Sequence, residues 1–149
     1  MRAVVQRVRR AQVTVEGRVV GAVGCGLLVL VGASAADAES DADALAAKVA
    51  GLRIFRDATG KMNLDVAQVG GGILAVSQFT LLGDCRRGRR PSFQSAAPPE
   101  RALPLFDRYC AATRALGLTC ETGVFGAMMD VELLNDGPVT LLIDTARTF

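Results

Sequence analysis

The chain of 149 residues contains no histidine and no tryptophan, and its aromatic side chains are limited to six phenylalanines and one tyrosine. Without imidazole it cannot form a Ser-His-Asp or Cys-His relay, a histidine-ligated metal site or a histidine general base. The scarcity of aromatic rings also argues against a protein that coats single-stranded nucleic acid by base stacking. Any chemistry in this protein must therefore proceed without imidazole.

The sequence also lacks a strong excess of charge and a long apolar run. Lysine and arginine total 17 and aspartate and glutamate 15, so the net charge of +2 leaves only a local patch to meet a polyanion. The longest apolar run, Leu27 to Val31, is too short to span a bilayer. The first residues alternate apolar and polar side chains, unlike a signal peptide. These features predict a soluble, cytoplasmic protein that makes no membrane contact.

Cysteines are few, and their spacing fits neither a zinc ligand set nor a CxxC redox pair. The four are Cys25, Cys85, Cys110 and Cys120. We interpret them as independent thiols in a reducing compartment, and all except Cys85 are expected to act as small apolar side chains. Cys85 lies beside Arg86 and Arg87, which favours reactivity, but no base partner is evident.

Half of the residues are apolar, which is enough for one sizeable core in a single domain covering residues 1–149. Four N-terminal segments have the alternating or continuous apolar pattern of strands. They are residues 3–8, 12–15, 18–23 and 26–32. The first helix should follow Asp37 and end near Phe55, since apolar residues then recur at helical spacing.

The second half of the chain predicts one more helix and three more strands. Ile73–Val76 reads as a buried strand, and a surface loop from Gly83 leads to a helix that begins at Pro99. The core-facing side chains of this helix are expected to be Leu105, Phe106, Tyr109, Ala112 and Leu116. Two final strands, residues 129–134 and 139–145, should flank a turn at residues 135–138. The order of elements indicates an α+β fold.

The buried strand at residues 73–76 has an unusual polar ending, made by Ser77, Gln78, Phe79 and Thr80. Such an ending presents hydroxyls and an amide where backbone N–H groups run out of sheet partners, and it can bind an oxyanion. The alternative is a strand that simply becomes polar as it reaches solvent. Thr80 as a nucleophile would need an adjacent proton acceptor, which the sequence does not identify.

A second motif, Asn135 to Thr140, contains a Gly-Pro bond. Because the tertiary amide lowers the cost of the cis isomer to about 0.5–1 kcal/mol, Gly137–Pro138 is a candidate cis peptide, although trans proline in a turn is the commoner arrangement. Phe125, among small residues before the last strands, is a candidate pocket wall, and Met128 or Met129 is expected in the core.

Arginine is concentrated in two places. Four arginines lie within the surface loop: Arg86, Arg87, Arg89 and Arg90. Arg7, Arg9 and Arg10 form a second cluster. Since a guanidinium group can bind two phosphate oxygens at once, a local patch on a nearly neutral chain is typical of a specific RNA contact. A solvated loop without a ligand is the alternative.

Taken together, these segments resemble one family, the bacterial-type D-aminoacyl-tRNA deacylases. The similarity covers nearly the whole chain, from QRV and VTVEG through GLLVLVG and FRDATGKMNLD to SQFTL and NDGPVT. The last two match the family's two signature motifs in order and separation. The resemblance implies a homodimer whose mostly antiparallel sheets close into a barrel-like core, with two main helices packed outside. We expect neither a cofactor nor a metal.

The resemblance also implies a substrate and a reaction. The substrate is aminoacyl-tRNA, and the reaction is hydrolysis of the ester between a D-amino acid and the terminal ribose, with glycine mischarged on tRNA as a further substrate. The Gly137–Pro138 bond is expected to be cis and to enter the active site of the opposite subunit. There its carbonyls would accept hydrogen bonds from the substrate's α-amino group and leave no room for an L side chain. Phe125 would line the pocket, and Arg7 would hold the loop across the interface.

Two versions of the chemical step remain open within the catalytic set of Ser77, Gln78, Phe79 and Thr80. In one, Thr80 attacks the ester and forms an acyl-enzyme. In the other, backbone N–H groups near Phe79 and Thr80 stabilise the oxyanion while the ribose 2'-hydroxyl assists a water molecule. We favour the second, because it needs no protein base.

Two other classes of function are also open. The chain could bind RNA through Arg86–Arg90 without hydrolysing anything. It could instead be a metal-dependent hydrolase with a carboxylate site built from Asp130, Glu132 and Asp144.

Overall fold

The computed structural model describes residues Met1–Phe149, and its long first strand pairs with both of the next two strands. β1 (Arg2–Val15) pairs antiparallel with β3 (Gly26–Gly32) along its first half and with β2 (Arg18–Val23) along its second. The prediction of two separate strands within residues 3–15 is wrong. A single strand forms there because β8 (Asp130–Asp144) pairs with β1 along almost its whole length.

The sheet is mixed, which corrects the expectation of mostly antiparallel pairing. β6 (Gly72–Ser77) runs parallel to β3, and β7 (Cys120–Thr122) runs parallel to β6. Each parallel pair is joined by a connection that contains a helix, and such a crossover returns the chain in the same direction. β2 packs near β7, so the sheet is nearly closed into a barrel.

The two predicted helices are present and pack against each other. α1 (Glu39–Ala50) ends before Phe55, because Gly51 caps it and donates its N–H to Ala47. α2 (Pro99–Ala115) begins at the predicted proline, but Leu116 lies beyond its end and is 52 % exposed instead of facing the core. The side chains of Arg108 and Asp43 join the helices at 2.6 and 2.7 Å.

β8 is one strand instead of the two predicted for residues 129–134 and 139–145. Asn135 lies opposite Val8 and Thr140 opposite Gln6, so both sides of the expected turn remain paired with β1. Residues 136–139 therefore form a bulge that leaves the ladder and returns to it. Three short strands were not predicted: β4 (Phe55–Arg56), its partner β5 (Met62–Leu64), and β7. Strands of two or three residues carry too little periodicity to be recognised in a sequence.

Apolar side chains fill both faces of the sheet. The larger cluster, of 24 buried residues, lies between the sheet and the helices, where Leu27 and Ile73 meet Leu45 and Tyr109. The smaller cluster holds 6 buried residues on the opposite face. Neither helix is long and apolar enough to cross a membrane.

Candidate active site

The polar end of β6 turns away from the sheet at Gln78. The Gln78 N–H still donates to the Val31 oxygen at 2.8 Å, and residues Phe79–Leu82 then form a short 3-10 helix. This change of direction places the Phe79 ring at the surface, where it is 54 % exposed and meets the Phe93 ring edge-on at 5.1 Å between centroids. Sheet pairing thus stops one residue before the predicted catalytic residues Phe79 and Thr80.

Two main-chain N–H groups at this strand end have no partner in the chain. The first turn of a helix leaves its leading N–H groups unpaired, and here the first intrahelical donor is Leu81, at 3.3 Å from the Gln78 oxygen. No side chain caps the Phe79 and Thr80 amides. The Gln78 side-chain amide donates instead to the Thr80 hydroxyl, which no acidic or basic side chain contacts. The site therefore offers backbone donors and lacks a side-chain base.

A cleft of about 660 Å³ opens beside this strand end and is lined mostly by apolar side chains. Ser77, Gln78 and Phe79 form one wall, and Phe125 lies in the lining with its ring 6.5 Å from that of Phe106. Phe125 is thus half-buried in the predicted pocket wall. Met128, expected as one candidate for the core, is 93 % exposed at the rim of the cleft.

The segment around Gly137 is held from two sides. The buried Arg7 side chain donates to the Asp136 main-chain oxygen at 2.9 Å and to the Ile54 oxygen. The Asn135 side chain donates to the Val139 oxygen at 3.0 Å and accepts the Val139 N–H at 3.2 Å. The peptide bond between Gly137 and Pro138 is cis. Arg7 reaches the loop within its own chain, whereas the family resemblance implied a contact across the dimer interface. Asn135 was not predicted as a site residue, because a turn-forming asparagine is common.

The Gly137 segment and the β6 end lie apart within one chain. Gly137 bulges opposite Arg7 of β1, which pairs with Leu27 of β3, and Leu27 pairs with Ile73 of β6. Ser77 lies four residues farther along β6, and three strand spacings separate β8 from β6. The strand rise and spacing place the two segments about 13 Å apart along the strands and about 14 Å apart across them. A single chain does not bring its two signature motifs together.

The arginine loop, residues 83–98, is closed at its base, and one of its four guanidinium groups is bound by a carboxylate of the same loop. Asp84 and Ser92 exchange backbone hydrogen bonds of 2.7 and 3.0 Å. Arg86 binds both carboxylate oxygens of Asp84, at 2.9 and 2.7 Å, and these hydrogen bonds lower the pKa of Asp84 and raise that of Arg86. The other three arginines are exposed and make no ion pair: Arg87, Arg89 and Arg90.

The alternative carboxylate site is not assembled. Asp130 and Asp144 stand at opposite ends of β8, where Asp144 pairs with Arg2, and Glu132 accepts a hydrogen bond from Gln12. Nowhere does the structure group three side chains able to hold a metal ion.

The cysteines differ from the sequence-based interpretation in two ways. Cys25 is exposed instead of buried. Cys110 and Cys120 are both buried and are not independent, because the Cys120 thiol together with burial raises the pKa of Cys110. Cys85 is exposed in the arginine loop.

Comparison with known proteins gives consistent relatives along the whole chain. The family model for D-Tyr-tRNA(Tyr) deacylase matches residues 4–144. The chain is 64 % identical to the D-aminoacyl-tRNA deacylase of Koribacter versatilis over 100 % of both chains. It is 59 % identical to that of Thermus aquaticus, covering 99 % of this chain and 97 % of the relative.

Two solved structures share the fold. The c-Myc DNA Unwinding Element Binding Protein matches with a TM-score of 0.91 and 39 % identity, over 97 % of this chain and 99 % of that one. A probable eukaryotic D-amino acid tRNA deacylase matches with a TM-score of 0.81 and 17 % identity, over 95 % and 97 % of the two chains, which shows a common fold alone. The family match and the full-length relatives together show that this chain belongs to the D-aminoacyl-tRNA deacylase family.

Proposed function

We propose that the protein hydrolyses the ester between a D-amino acid and the terminal ribose of tRNA, and so keeps D-amino acids out of translation. The observation that carries this proposal is the pair of unpartnered N–H groups of Phe79 and Thr80 beside an apolar cleft. Two such donors can hold the oxyanion that forms when an ester is attacked. Relatives named D-aminoacyl-tRNA deacylase, similar over the full chain, support this reaction. A protein that acts on charged tRNA belongs in the cytoplasm.

The chemical step requires no protein base in this proposal. The Thr80 hydroxyl is in contact with the Gln78 amide and with no carboxylate or amine, so nothing near it can take its proton. The attacking group is therefore a water molecule assisted by the ribose 2'-hydroxyl, and the two backbone donors stabilise the developing charge.

The active form in this proposal is a homodimer in which Gly137 and Pro138 of one protomer enter the cleft of its partner. The separation of the two motifs within one chain supports this arrangement, because neither motif alone contains both the oxyanion donors and the proposed filter. β8 also has an unpaired edge and exposes Leu134 at 41 % and Leu142 at 65 %. An apolar edge of this length is the kind of surface that a second copy covers.

The filter in this proposal distinguishes enantiomers by exclusion. Main-chain carbonyls of Gly137 and Pro138 accept hydrogen bonds from the substrate's α-amino group, which leaves an L side chain facing the loop and a D side chain facing out. Glycine has no side chain to exclude, so glycine on tRNA is also a substrate. Many D-amino acids should be accepted, because their side chains are scarcely contacted.

Incubation with D-Tyr-tRNA and L-Tyr-tRNA tests the activity. The proposal expects discharge of the D-ester alone, whereas a protein that only binds RNA would leave both esters intact. Loss of both esters at equal rates would refute the filter but not the hydrolysis.

Mixing two inactive variants tests whether the site is shared. Gly137→Ala displaces the carbonyls that hold the substrate's α-amino group, and Phe79→Pro removes one oxyanion donor. If the site is completed across the dimer, heterodimers contain one intact site, and the mixture regains about a quarter of wild-type activity. If each chain completes its own site, the two variants refolded together remain as inactive as each variant alone.

A further inference from the structure

The segment FRDATGKMNLD, singled out in the sequence, forms a rigid hairpin that the proposed reaction does not use. β4 and β5 pair across a turn in which the Asp57 carboxylate accepts the N–H groups of Thr59 at 2.8 Å and Lys61 at 3.1 Å. Gly60 has a φ of +81°, a conformation that favours glycine. These bonds stabilise the turn that directly follows Arg56.

Arg56 lines a cavity of about 700 Å³ whose lining also contains Gly137. Arg9 also lines this cavity, and its side chain is 72 % exposed. Arg9 and Arg56 thus line the same cavity as Gly137 of the proposed chiral filter, and this cavity shares no lining residue with the cleft of their own chain.

The cavity carries uncompensated positive charge. Arg56 is exposed and makes no ion pair or hydrogen bond through its side chain. Arg9 contacts only Asp136, at 3.6 Å, and that carboxylate is already paired with the buried Arg7 at 3.1 Å. Asp136 is the only acidic residue in the lining. Arg56 is therefore unpaired, and Arg9 shares a single carboxylate with Arg7, which leaves positive charge available to bind an anion beside Gly137.

We propose that Arg9 and Arg56 bind phosphate groups near the 3' end of the tRNA, acting from the protomer that donates Gly137. The inference rests on the proposed function, since it is the entry of Gly137 into the partner's cleft that brings this cavity to the terminal ribose. The guanidinium fork matches the paired oxygens of a phosphodiester. One tRNA is then held by both subunits: by Arg87, Arg89 and Arg90 of the protomer that supplies the cleft, and by Arg9 and Arg56 of its partner.

The double variant Arg9→Gln/Arg56→Gln tests this surface. Turnover of D-Tyr-tRNA is measured from about 50 to about 300 mM KCl, together with that of D-tyrosyl-adenosine, which has no phosphate. Each lost phosphate contact lowers the slope of log kcat/KM against log salt by about 0.7–0.9. For the double variant we expect a slope lower by about 1.5 and a KM for tRNA raised about tenfold at low salt. The loss of kcat/KM on D-tyrosyl-adenosine should be at least about fivefold smaller than the loss on D-Tyr-tRNA.

The matched control is Arg18→Gln/Lys48→Gln, which removes the same charge from exposed positions at the start of β2 and in the last turn of α1. Arg56→Lys in the wild-type background keeps the charge and should retain most of the salt slope, which separates loss of a contact from damage to the hairpin. Equal slopes and KM values for the double variant and the control would overturn the inference and leave the proposed function standing. Wild-type protein inactive on both substrates would overturn the proposed function and this inference with it.

Discussion

The buried guanidinium of Arg7 donates its Nε hydrogen to the Asp136 main-chain oxygen at 2.9 Å, one residue before the Gly-Pro pair. Arg7 is only 1 % exposed, and the same side chain donates to the Ile54 oxygen and pairs with the Asp136 carboxylate at 3.1 Å. A charge at this depth is stable only when its donors are satisfied. The segment that carries the proposed filter is therefore positioned by the core of β1 in addition to the hydrogen bonds that Asn135 makes within the loop.

Arg7→Lys should loosen this attachment while keeping the charge. A single ammonium group cannot reproduce the guanidinium fork that reaches Ile54 and Asp136 together. We expect the free energy of unfolding to fall by about 1.5–3 kcal/mol, the range for hydrogen bonds to charged groups, and hydrolysis of L-Tyr-tRNA to rise relative to D-Tyr-tRNA. Urea unfolding and the D/L rate ratio measure the two effects.

Arg9→Ala is the stability control for that variant, because Arg9 approaches the same carboxylate at 3.6 Å from an exposed position. It should change the unfolding free energy by less than about 0.5 kcal/mol. An unchanged D/L ratio in Arg7→Lys would show that Arg7 does not position the filter.

Gly137→Ala should remove the filter by displacing it. A Cβ at residue 137 would lie 1.9 Å from the Val139 nitrogen and 2.9 Å from the Asn135 Oδ1 atom, so the backbone must move. We expect a loss of about 1–3 kcal/mol in unfolding free energy, typical of overpacking, and loss of D-ester hydrolysis. Gly24→Ala is the control, since nothing lies within 4 Å of a Cβ there. Wild-type kinetics in Gly137→Ala would contradict the proposed role of this residue.

Phe79→Pro should remove one oxyanion donor with little change of shape. Proline lacks the N–H, the first position of a helix tolerates it, and Gln78 before it already lies outside the α region that proline disfavours, with φ −146° and ψ 85°. We expect kcat to fall by about 10²–10³-fold, as for loss of a single oxyanion donor. Phe79→Ala keeps the N–H and loses only the ring, so it should retain far more activity. Similar kcat values for the two variants would show that the amide has no catalytic role.

Thr80→Ala separates the two chemical mechanisms. The alanine variant keeps the main-chain donor and loses the hydroxyl, so the proposed mechanism expects kcat within about tenfold of wild type. A nucleophilic threonine would instead require a fall greater than about 10³-fold, together with loss of any acyl-enzyme trapped by acid quench. Single-turnover kinetics with D-Tyr-tRNA make the distinction.

The arginine loop should contribute unequally to tRNA binding. Arg87→Ala and Arg89→Ala each remove an exposed, unpaired guanidinium and should lower the salt slope of kcat/KM by about 0.7–0.9. Arg86→Ala should have a smaller effect, because Arg86 is bound to Asp84 at 2.7 and 2.9 Å. Equal slopes for all three variants would mean that the Asp84 pair opens when tRNA binds.

The sequence was most informative where the signal is local. Period-two alternation predicted β2 and a continuous apolar run predicted β3. Helical spacing and the acidic stretch predicted α1, and Pro99 marked the start of α2, since these patterns depend on neighbours within one element. The polar end of β6 and the motif around Gly137 were also visible, because each is a short run of unusual residue types. The family resemblance carried by these motifs is confirmed by the match over residues 4–144.

Features that depend on distant contacts required the structure. Pairing with β8 decided that β1 is one strand, and helical crossovers decided that β6 and β7 are parallel. The sequence by itself determined which residues are candidates for the chemistry, because residue type and local periodicity are properties of the chain. Only tertiary structure decided that Arg86 is paired with Asp84 and that Arg7 holds the Gly137 segment within its own chain. It also decided that this segment lies far from the β6 end. Each of these depends on packing between residues that the linear order does not relate.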